Sequence, residues 1–200
     1  MSFRQGARQF FERRGTPPPP LPYDAEVEYL ESTGTQYINL SQAIAGRTIA
    51  TEIRWVPVSS VNDRFVHGGG QNSSPQVRIG TYSNQNPFVA VDGTTCYIYI
   101  PNGAIVSKVD RQYVVCRTNL YHSDYIYLYC QEWSRLPNGL ISARIFDVKI
   151  SDSGGNAIMN LVPVRFTNEQ NQSEGAMYDR VSGALFRNAG TGAFTIGPDK

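Results

Sequence analysis

Apolar and polar residues alternate with a period of two through much of the chain, a pattern typical of half-buried β-strands. The clearest run covers residues 48–56. Its predicted inward residues are Ile49, Thr51, Ile53 and Trp55, and its predicted outward residues are Thr48, Ala50, Glu52 and Arg54. Pro57 follows directly and predicts the end of this strand, because proline cannot donate to a sheet ladder.

Two longer strands are predicted in the second half of the chain. Over residues 140–150 the alternation places Phe146, Val148 and Ile150 inward and Asp147 and Lys149 outward. Residues 157–166 are apolar on both faces apart from Asn160, which is typical of a central strand. Pro163 within that strand then requires a bulge or an unpaired edge.

The closing segment, residues 175–198, alternates short apolar pairs with glycine-bearing turns. Turns are predicted at residues 179–183 and 188–192, since glycine and asparagine accept a positive φ. Leu185 and Phe186 then fall on one short strand, and Phe194 and Ile196 point to one face of the next. Such a small hairpin is predicted to lie on a larger sheet, because it cannot be stable alone.

Taken together, residues 23–200 contain roughly a dozen short strands and no internal helix, which indicates two packed antiparallel sheets. The composition agrees, since the 200 residues include 12 Tyr, 18 Gly and 12 Pro and only 18% are charged. A single all-β domain commonly fills this length.

The N-terminus has a different pattern, with the period of a helix. Ser2 and Gln5 form a predicted capping box, and Gly15 is a predicted C-terminal stop. Phe3, Ala7, Phe10 and Phe11 form one apolar stripe. We therefore predict an anchor helix over residues 1–15, a proline-rich extended spacer over 16–22 and the β domain over 23–200.

Charge and cysteine usage narrow the function classes. The formal net charge of +1 gives no general attraction to nucleic acid. The predicted anchor helix and spacer, residues 1–22, together form an N-terminal arm. Positive charge is concentrated in this arm, at Arg4, Arg8, Arg13 and Arg14. The three cysteines, Cys96, Cys116 and Cys130, lie in apolar runs and are predicted to be buried free thiols. No stretch has the length of a membrane span and no apolar signal region follows Met1, so we expect a protein made in a cytoplasm.

Recognisable catalytic and metal-binding patterns are few. His67 and His122 have no cysteine or histidine at metal-ligand spacing. The triple glycine at 68–70 lacks the lysine and helix of a phosphate loop, so it is interpreted as a turn. We expect no enzymatic activity, no resident metal and no cofactor.

Tyrosines form a candidate contact surface on two predicted strands. Period two places them together on the face opposite the core: Tyr97, Tyr99, Tyr125, Tyr127 and Tyr129. One interpretation is an ordinary aromatic outer sheet face, since tyrosine is a good strand former. The other is a surface that stacks on sugar rings or packs on a neighbouring copy, because tyrosine combines a large apolar body with a hydroxyl.

Several of these motifs resemble a known family. The opening segment Tyr29–Ile38 and the closing segments Met177–Asp179, Val181–Gly183 and Asn188–Phe194 resemble signatures of concanavalin A-like (LamG-like) jelly-roll domains of tailed phages and gut-bacterial surface proteins. The resemblance runs from about Leu21 to Pro198. It implies an all-β, two-sheet antiparallel jelly-roll sandwich, here with a short N-terminal helical arm.

The fold is shared with glucanases, whose catalytic strand carries carboxylates at alternate positions. This sequence has no such strand. Glu26, Glu28 and Glu31 come nearest, but at the wrong spacing and order. Some relatives bind calcium, and the loop carboxylates Asp92, Asp110 and Asp124 are the candidates for that role, without a clustered calcium motif.

The resemblance and the arm together favour a non-enzymatic phage virion structural protein, either a capsid decoration or head-fibre protein or a tail-associated one. It would be made in the host bacterial cytoplasm, displayed on the virion surface, and assembled as a homo-oligomer, most plausibly a trimer. The arm would bind a capsid or tail protein through Phe3, Arg4, Ala7, Arg8, Phe10, Phe11, Arg13 and Arg14. The alternative is a lectin-like module that binds a cell-surface glycan for host or mucus adhesion. A third, weaker interpretation makes the basic arm a nucleic-acid or membrane tether.

Overall fold

The computed structural model describes residues 20–40, 47–58, 64–69, 77–82, 86–91, 94–96, 114–122, 126–133 and 136–200. Over these residues the protein is all-β, and no helix occurs in them. The predicted anchor helix and most of the predicted spacer, residues 1–19, lie outside the described residues.

Seventeen strands are described. In the first half they are β1 (Ala25–Glu26), β2 (Leu30–Thr33), β3 (Ile38–Asn39), β4 (Arg47–Pro57), β5 (Arg64–Gly69), β6 (Val77–Tyr82), β7 (Asn86–Val91) and β8 (Thr94–Cys96). In the second half they are β9 (Val114–His122), β10 (Ile126–Leu128), β11 (Gln131–Trp133), β12 (Leu136–Asn138), β13 (Ser142–Asp152), β14 (Ala157–Thr167), β15 (Ser173–Asp179), β16 (Leu185–Arg187) and β17 (Thr195–Ile196).

The strands form two large antiparallel sheets. The first has nine strands, with the path β16-β15-β14-β13-β2-β17 and with β1, β4 and β9 paired beside it. The second has six strands in the order β3-β10-β5-β6-β7-β8, and β11 and β12 form a separate pair. The prediction of an all-β, antiparallel architecture is confirmed.

The main core contains residues from both sheets. Ile126 and Leu128 of β10 are fully buried in the same cluster as Ile53 and Trp55 of β4 and Val148 of β13. A second, smaller apolar cluster lies on alternate residues of β14, where Val162, Val164 and Phe166 pack with Ala176 of β15. Residues 157–166 therefore carry apolar side chains on both faces, as the sequence indicated.

The alternation predicted for β4 is confirmed where its side chains are described. Thr51, Ile53 and Trp55 are buried, whereas Glu52 and Arg54 are half-buried. Burying each large apolar side chain contributes on the order of 1.5–3 kcal/mol, so this strand holds a substantial part of the core.

The alternation predicted for β13 is wrong at Phe146. Its register with β4 shifts between Ile145 and Asp147, which is a β-bulge. A bulge inserts one extra residue and moves the side chains that follow it to the other face. Ile145 and Val148 are consequently both buried, and Phe146 is only half-buried and meets Tyr29 edge-on at 5.9 Å between ring centroids.

Pro163 occupies a position where β14 changes partner. On one side Pro163 pairs with Met177 of β15 in an unbroken register. On the other side, pairing with β13 ends at Leu161 and pairing with β1 begins at Val164. The proline, which lacks an N–H, falls between these two partners, and its carbonyl accepts a bond from the Val27 N–H at 3.0 Å.

The closing segment contains the two predicted turns but not the predicted hairpin. Gly183 and Gly192 have φ values of 76° and 73°, in the left-handed region that favours glycine. However, β16 pairs with β15, whereas β17 pairs with β2. The two short strands therefore attach to opposite ends of the strand path instead of to each other.

The two segments that carry the family resemblance are in direct contact. The N–H groups of Ala189 and Thr191 donate to the carbonyls of Tyr37 and Thr35, at 2.9 and 3.1 Å. Asn188 bridges to Ile38 as well. The closing turn thus attaches to the opening segment through backbone hydrogen bonds.

Candidate functional site

The tyrosine surface is not exposed where the structure describes it. Tyr129 is completely buried, and Tyr127 is 4% exposed. Tyr127 meets the ring of Tyr37 edge-on, at 5.7 Å between centroids. The predicted exposed face is therefore wrong for these two residues, and Tyr97, Tyr99 and Tyr125 lie outside the described residues.

The error at Tyr129 has a backbone cause. The strand ends at Leu128, and Tyr129 adopts a φ of 68°, which is rare for a residue with a side chain. The period-two rule does not hold beyond the end of a strand, so Tyr129 turns into the core beside Phe194. The neighbouring Cys130 is buried and free, as predicted, and burial raises the pKa of its thiol.

The hydroxyl of Tyr129 joins the two sheets. It donates a hydrogen bond of 2.7 Å to the backbone carbonyl of Leu30 in β2. Burial raises the pKa of this phenol well above its usual value, and a hydrogen bond with the Ile145 backbone partly opposes the shift. Because Leu30 and Ile145 are paired residues of β2 and β13, this one hydroxyl contacts both strands of the facing sheet.

Residues 23–28, the arm root, follow the predicted N-terminal arm and are held to the domain by backbone hydrogen bonds. Asp24 and Val27 donate backbone hydrogen bonds to Arg165 and Pro163 of β14, at 2.8 and 3.0 Å. The C-terminus covers the other side of the same segment, since Lys200 donates its N–H to the Glu26 carbonyl at 2.9 Å. The side chains of residues 20–22 are exposed, so packing on the domain begins at Tyr23.

Carboxylates at this root are bound to arginines. Both carboxylate oxygens of Glu26 lie 2.6 Å from Arg180, which lowers the Glu26 pKa, while burial opposes that effect. Asp199 accepts a hydrogen bond of 2.7 Å from Arg165, which lowers its pKa too. These carboxylates are therefore ionised near neutral pH and are not placed to act as acids.

The Glu26–Arg180 pair predicts a small, pH-dependent loss of stability in Arg180→Met. Because the Glu26 pKa is lower in the folded chain, the pair stabilises the fold above the usual glutamate pKa of about 4.3, and the effect disappears as pH falls through the folded pKa. We expect a loss of about 0.5 kcal/mol at neutral pH, since the pair is partly exposed.

Urea unfolding of Arg180→Met, Glu26→Gln and the double variant at neutral and acid pH measures this coupling. A coupling energy that persists unchanged at acid pH would contradict the ion-pair explanation, because protonated Glu26 carries no charge.

The outward face of β13 carries a row of matched charges. Arg144 bonds Glu31 at 2.5 Å and lies over the Tyr29 ring, 4.5 Å from its centroid. Further along the strand, Asp147 forms an ion pair with Arg54. Each of these charges has an opposite partner within the same chain, so this part of the face offers little net charge to a ligand.

A groove lies at the end of the β13–β14 hairpin and is the candidate small-molecule site. Its volume is about 570 Å³, within the usual range for ligand sites, about 300–1,000 Å³. Its polar lining residues are Thr51, Glu52, Lys149, Ser151, Asp152, Ser153 and Asn160. None of these was identified as a site residue from the sequence, and the only available signal is the turn-forming run 151–156.

The turn beside this groove is fixed by Asp152. One carboxylate oxygen accepts the N–H groups of Gly154 and Asn156 at 2.9 and 2.8 Å. The other oxygen accepts the Asn156 side-chain amide at 2.9 Å. These bonds lower the Asp152 pKa, so Asp152 shapes the groove wall as an ionised acceptor with several of its sites already occupied.

The described residues contain neither a clustered set of metal ligands nor a helical membrane span. No group of three or more histidine, cysteine, aspartate or glutamate side chains in the described part of the chain is arranged to hold a metal ion. Within the described ranges, no helix has the length and apolar character needed to cross a membrane. The candidate calcium ligands Asp92, Asp110 and Asp124 lie outside those ranges.

No protein-family model matches the sequence, and no curated protein and no solved structure matches it.

Proposed function

We propose that this chain is a non-enzymatic structural protein of a tailed-phage virion, attached by its N-terminal arm and displaying a concanavalin A-like jelly-roll domain. Its place is on the head, as a decoration or fibre protein, or on the tail. The partner of the arm is a capsid or tail protein.

The observation that carries this proposal is the closure of the domain at Tyr23. The backbone of residues 24–28 is hydrogen bonded to β14 and to the C-terminal residues 198–200. Immediately before that point Pro20, Leu21 and Pro22 are exposed, Leu21 by 57%. Residues 20–22 thus extend from the folded domain at a position fixed by the hydrogen bonds of the residues that follow them. This arrangement suits an attachment arm.

The chemistry of the arm supports attachment to a protein surface. The sequence predicts that three phenylalanines, Phe3, Phe10 and Phe11, share one helical stripe, and burial of each would contribute about 1.5–3 kcal/mol. The four arginines of the arm suit an acidic receiving surface. A helix of this length is marginal alone in water, so it requires a partner surface.

The carboxylates near the opening motif support a non-catalytic role. Glu26, Glu28 and Glu31 come nearest to a glucanase-like set in the sequence. Of these, Glu26 is bound to Arg180 and Glu31 to Arg144. Glycosidase chemistry needs one carboxyl group that stays protonated near neutral pH. Pairing Glu26 with Arg180 lowers the Glu26 pKa and has the opposite effect.

Deleting residues 1–22 tests the proposal. We expect the melting temperature of the domain to stay nearly unchanged, because packing begins at Tyr23, and incorporation into particles to be lost. Phe10→Ala combined with Phe11→Ala is expected to weaken incorporation severely by itself. Purified particles made with each variant are assayed by quantitative mass spectrometry.

The matched control is Val181→Ala, which removes an apolar side chain that is 51% exposed on the domain itself. This variant is expected to incorporate normally. A truncated chain that still incorporates at full occupancy would refute the anchor, and a truncated chain that unfolds would show that the arm packs on its own domain.

A further inference from the structure

An apolar cluster with two half-buried tyrosines lies on the face of the nine-stranded sheet opposite the main core. Val162, Val164 and Phe166 occupy alternate positions of β14 and are buried. The ring of Tyr23 packs on this cluster beside the ring of Tyr178, at 4.9 Å between centroids. Both rings are only half-buried, so this outer β14 surface offers aromatic area that the described residues do not fully cover.

The free polar groups of the outer β14 surface are hydrogen-bond donors. Within the described part of the chain, the hydroxyl of Tyr178 and the guanidinium of the exposed Arg187 form no hydrogen bond. The nearby carboxylate of Glu26 already accepts bonds from Tyr23 and Arg180. A ligand suited to this surface therefore presents apolar rings and carbonyl acceptors and has little need to donate.

A proline-rich segment in the polyproline II conformation has this chemistry. Proline has no N–H, and the carbonyls of such a segment are free because the conformation has no internal hydrogen bonds. The chain carries one at residues 16–22, where five of the seven residues are proline. Its four consecutive prolines would span about 12 Å, which matches the distance of roughly 13 Å along β14 from Val162 to Phe166.

The position of this segment prevents it from covering the outer β14 surface of its own copy. Pro22 directly precedes Tyr23, and Pro20, Leu21 and Pro22 are exposed, so the chain leaves the surface at this point. Returning over the rings of Tyr23 and Tyr178 would require a reversal in a segment whose prolines favour extended structure. The same segment of a second copy has no such restriction.

We propose that the outer β14 surface binds the proline-rich segment of a second copy of this chain. The prolines pack on the rings of Tyr23 and Tyr178, and the exposed Leu21 adds apolar area beside Leu185. The Tyr178 hydroxyl and Arg187 donate to carbonyls of the segment. Aromatic surfaces bind such segments at a low entropic cost, because the extended backbone is already formed. Each copy carries both the segment and the surface, so the exchange can close into a symmetric oligomer.

Sedimentation velocity of the purified full chain over a range of concentrations tests the contact. We expect self-association, and we expect it to weaken roughly tenfold or more when the four prolines of residues 17–20 are replaced by serine, because the segment loses its pre-formed conformation. These positions precede the first packed residue, Tyr23, so the fold is expected to remain intact. Phe10→Ala combined with Phe11→Ala, which tests the anchor helix, is expected to leave this association unchanged.

Tyr178→Phe tests the surface without unfolding the domain. It removes only a hydroxyl that has no partner in the described structure, so we expect unchanged stability and roughly threefold to tenfold weaker association. Tyr29→Phe, at another half-buried tyrosine, is the matched control and is expected to leave association unchanged.

A synthetic peptide with the sequence of residues 16–22 gives a second measurement. Added to dilute, isotope-labelled full chain, it is expected to shift the amide NMR signals of Tyr178 and Leu185. The same peptide with serine in place of each proline is expected to shift neither. Both measurements use the purified chain without particles, so they do not depend on the attachment proposal.

The proposal is overturned if the full chain stays monomeric at every concentration, or if the serine variant associates as strongly as the native chain. Peptide binding by a chain that stays monomeric also overturns it, and would identify the occupant as a proline-rich segment of a different protein. Loss of association in the Phe10 and Phe11 variant alone would place the contact between copies in the helix. Shifts at Tyr178 caused by the serine substitutions in the monomer would show that the segment covers its own copy.

Discussion

Replacing Gly190 with alanine is expected to destabilise the fold by about 3 kcal/mol or more. A Cβ at this position would lie 2.2 Å from the carbonyl oxygen of Thr35 and 3.0 Å from the Cα of Gln36. Both are backbone atoms, so relief requires moving the chain and not merely rotating a side chain.

The backbone opposite Gly190 is held on several sides, which prevents that movement. The Thr35 carbonyl accepts the Thr191 N–H at 3.1 Å. The buried Gln36 accepts the Thr33 N–H through its side-chain oxygen at 2.8 Å. Displacing the opening segment would break these bonds, so the variant is expected to lose the contact between the closing turn and the opening segment.

Gly34→Ala is the matched control. Gly34 has a φ of 99°, but no atom lies within 4 Å of a Cβ built there. Its substitution carries only the conformational cost of an L-residue in the left-handed region, about 1–2 kcal/mol. Urea unfolding of both variants, followed by tryptophan fluorescence, compares the two costs. Equal losses would show that the close contact at Gly190 is not limiting.

The sequence predicts a strand well where that strand itself contains no bulge, as in β4. β4 pairs with β9 over residues 47–55 and with β13 over residues 49–57. Its apolar residues must therefore occupy one face consistently, and the period of two in the sequence corresponds directly to burial of Ile53 and Trp55.

The predictions that failed depend on contacts remote in sequence. Phe146 lies on a different face from the predicted one because β13 pairs with β4 through a bulge. No residue near Phe146 indicates this bulge in the sequence. Likewise β17 pairs with β2, about 165 residues earlier, whereas local pattern favours its neighbour β16. Turn chemistry specifies where the chain reverses, but the identity of the partner strand is set by packing of the whole domain.

The residues that line the candidate groove could not be predicted from the sequence for the same reason, because they come together through contacts remote in sequence. Glu52, Lys149 and Asn160 come from three strands, and only the register of those strands brings them together. In the sequence Glu52 and Lys149 are ordinary outward residues of predicted strands, and Asn160 is the one polar exception in a strand predicted to be apolar on both faces. The buried hydroxyl of Thr51, which has no hydrogen-bonding partner in the described structure, has no sequence signal at all, since buried threonines are usually satisfied within the fold.

Tyr129→Phe is expected to lower the free energy of unfolding by about 1–3 kcal/mol at neutral pH. The substitution removes one oxygen from a fully buried site and leaves the Leu30 carbonyl without its 2.7 Å hydrogen bond. Tyr178→Phe, at a half-buried tyrosine outside the main core, is the control and is expected to change stability by less than about 0.5 kcal/mol.

The pH dependence of this loss identifies its cause. Burial raises the Tyr129 pKa in the folded chain, so its contribution is complete below the usual tyrosine pKa of about 10 and decreases as pH rises toward the folded value. The stability difference between the native chain and Tyr129→Phe should therefore shrink above about pH 10. Urea unfolding from neutral to alkaline pH measures it, and a difference that stays constant would show that the phenol is free to ionise where it lies and that the hydroxyl does not join the two sheets.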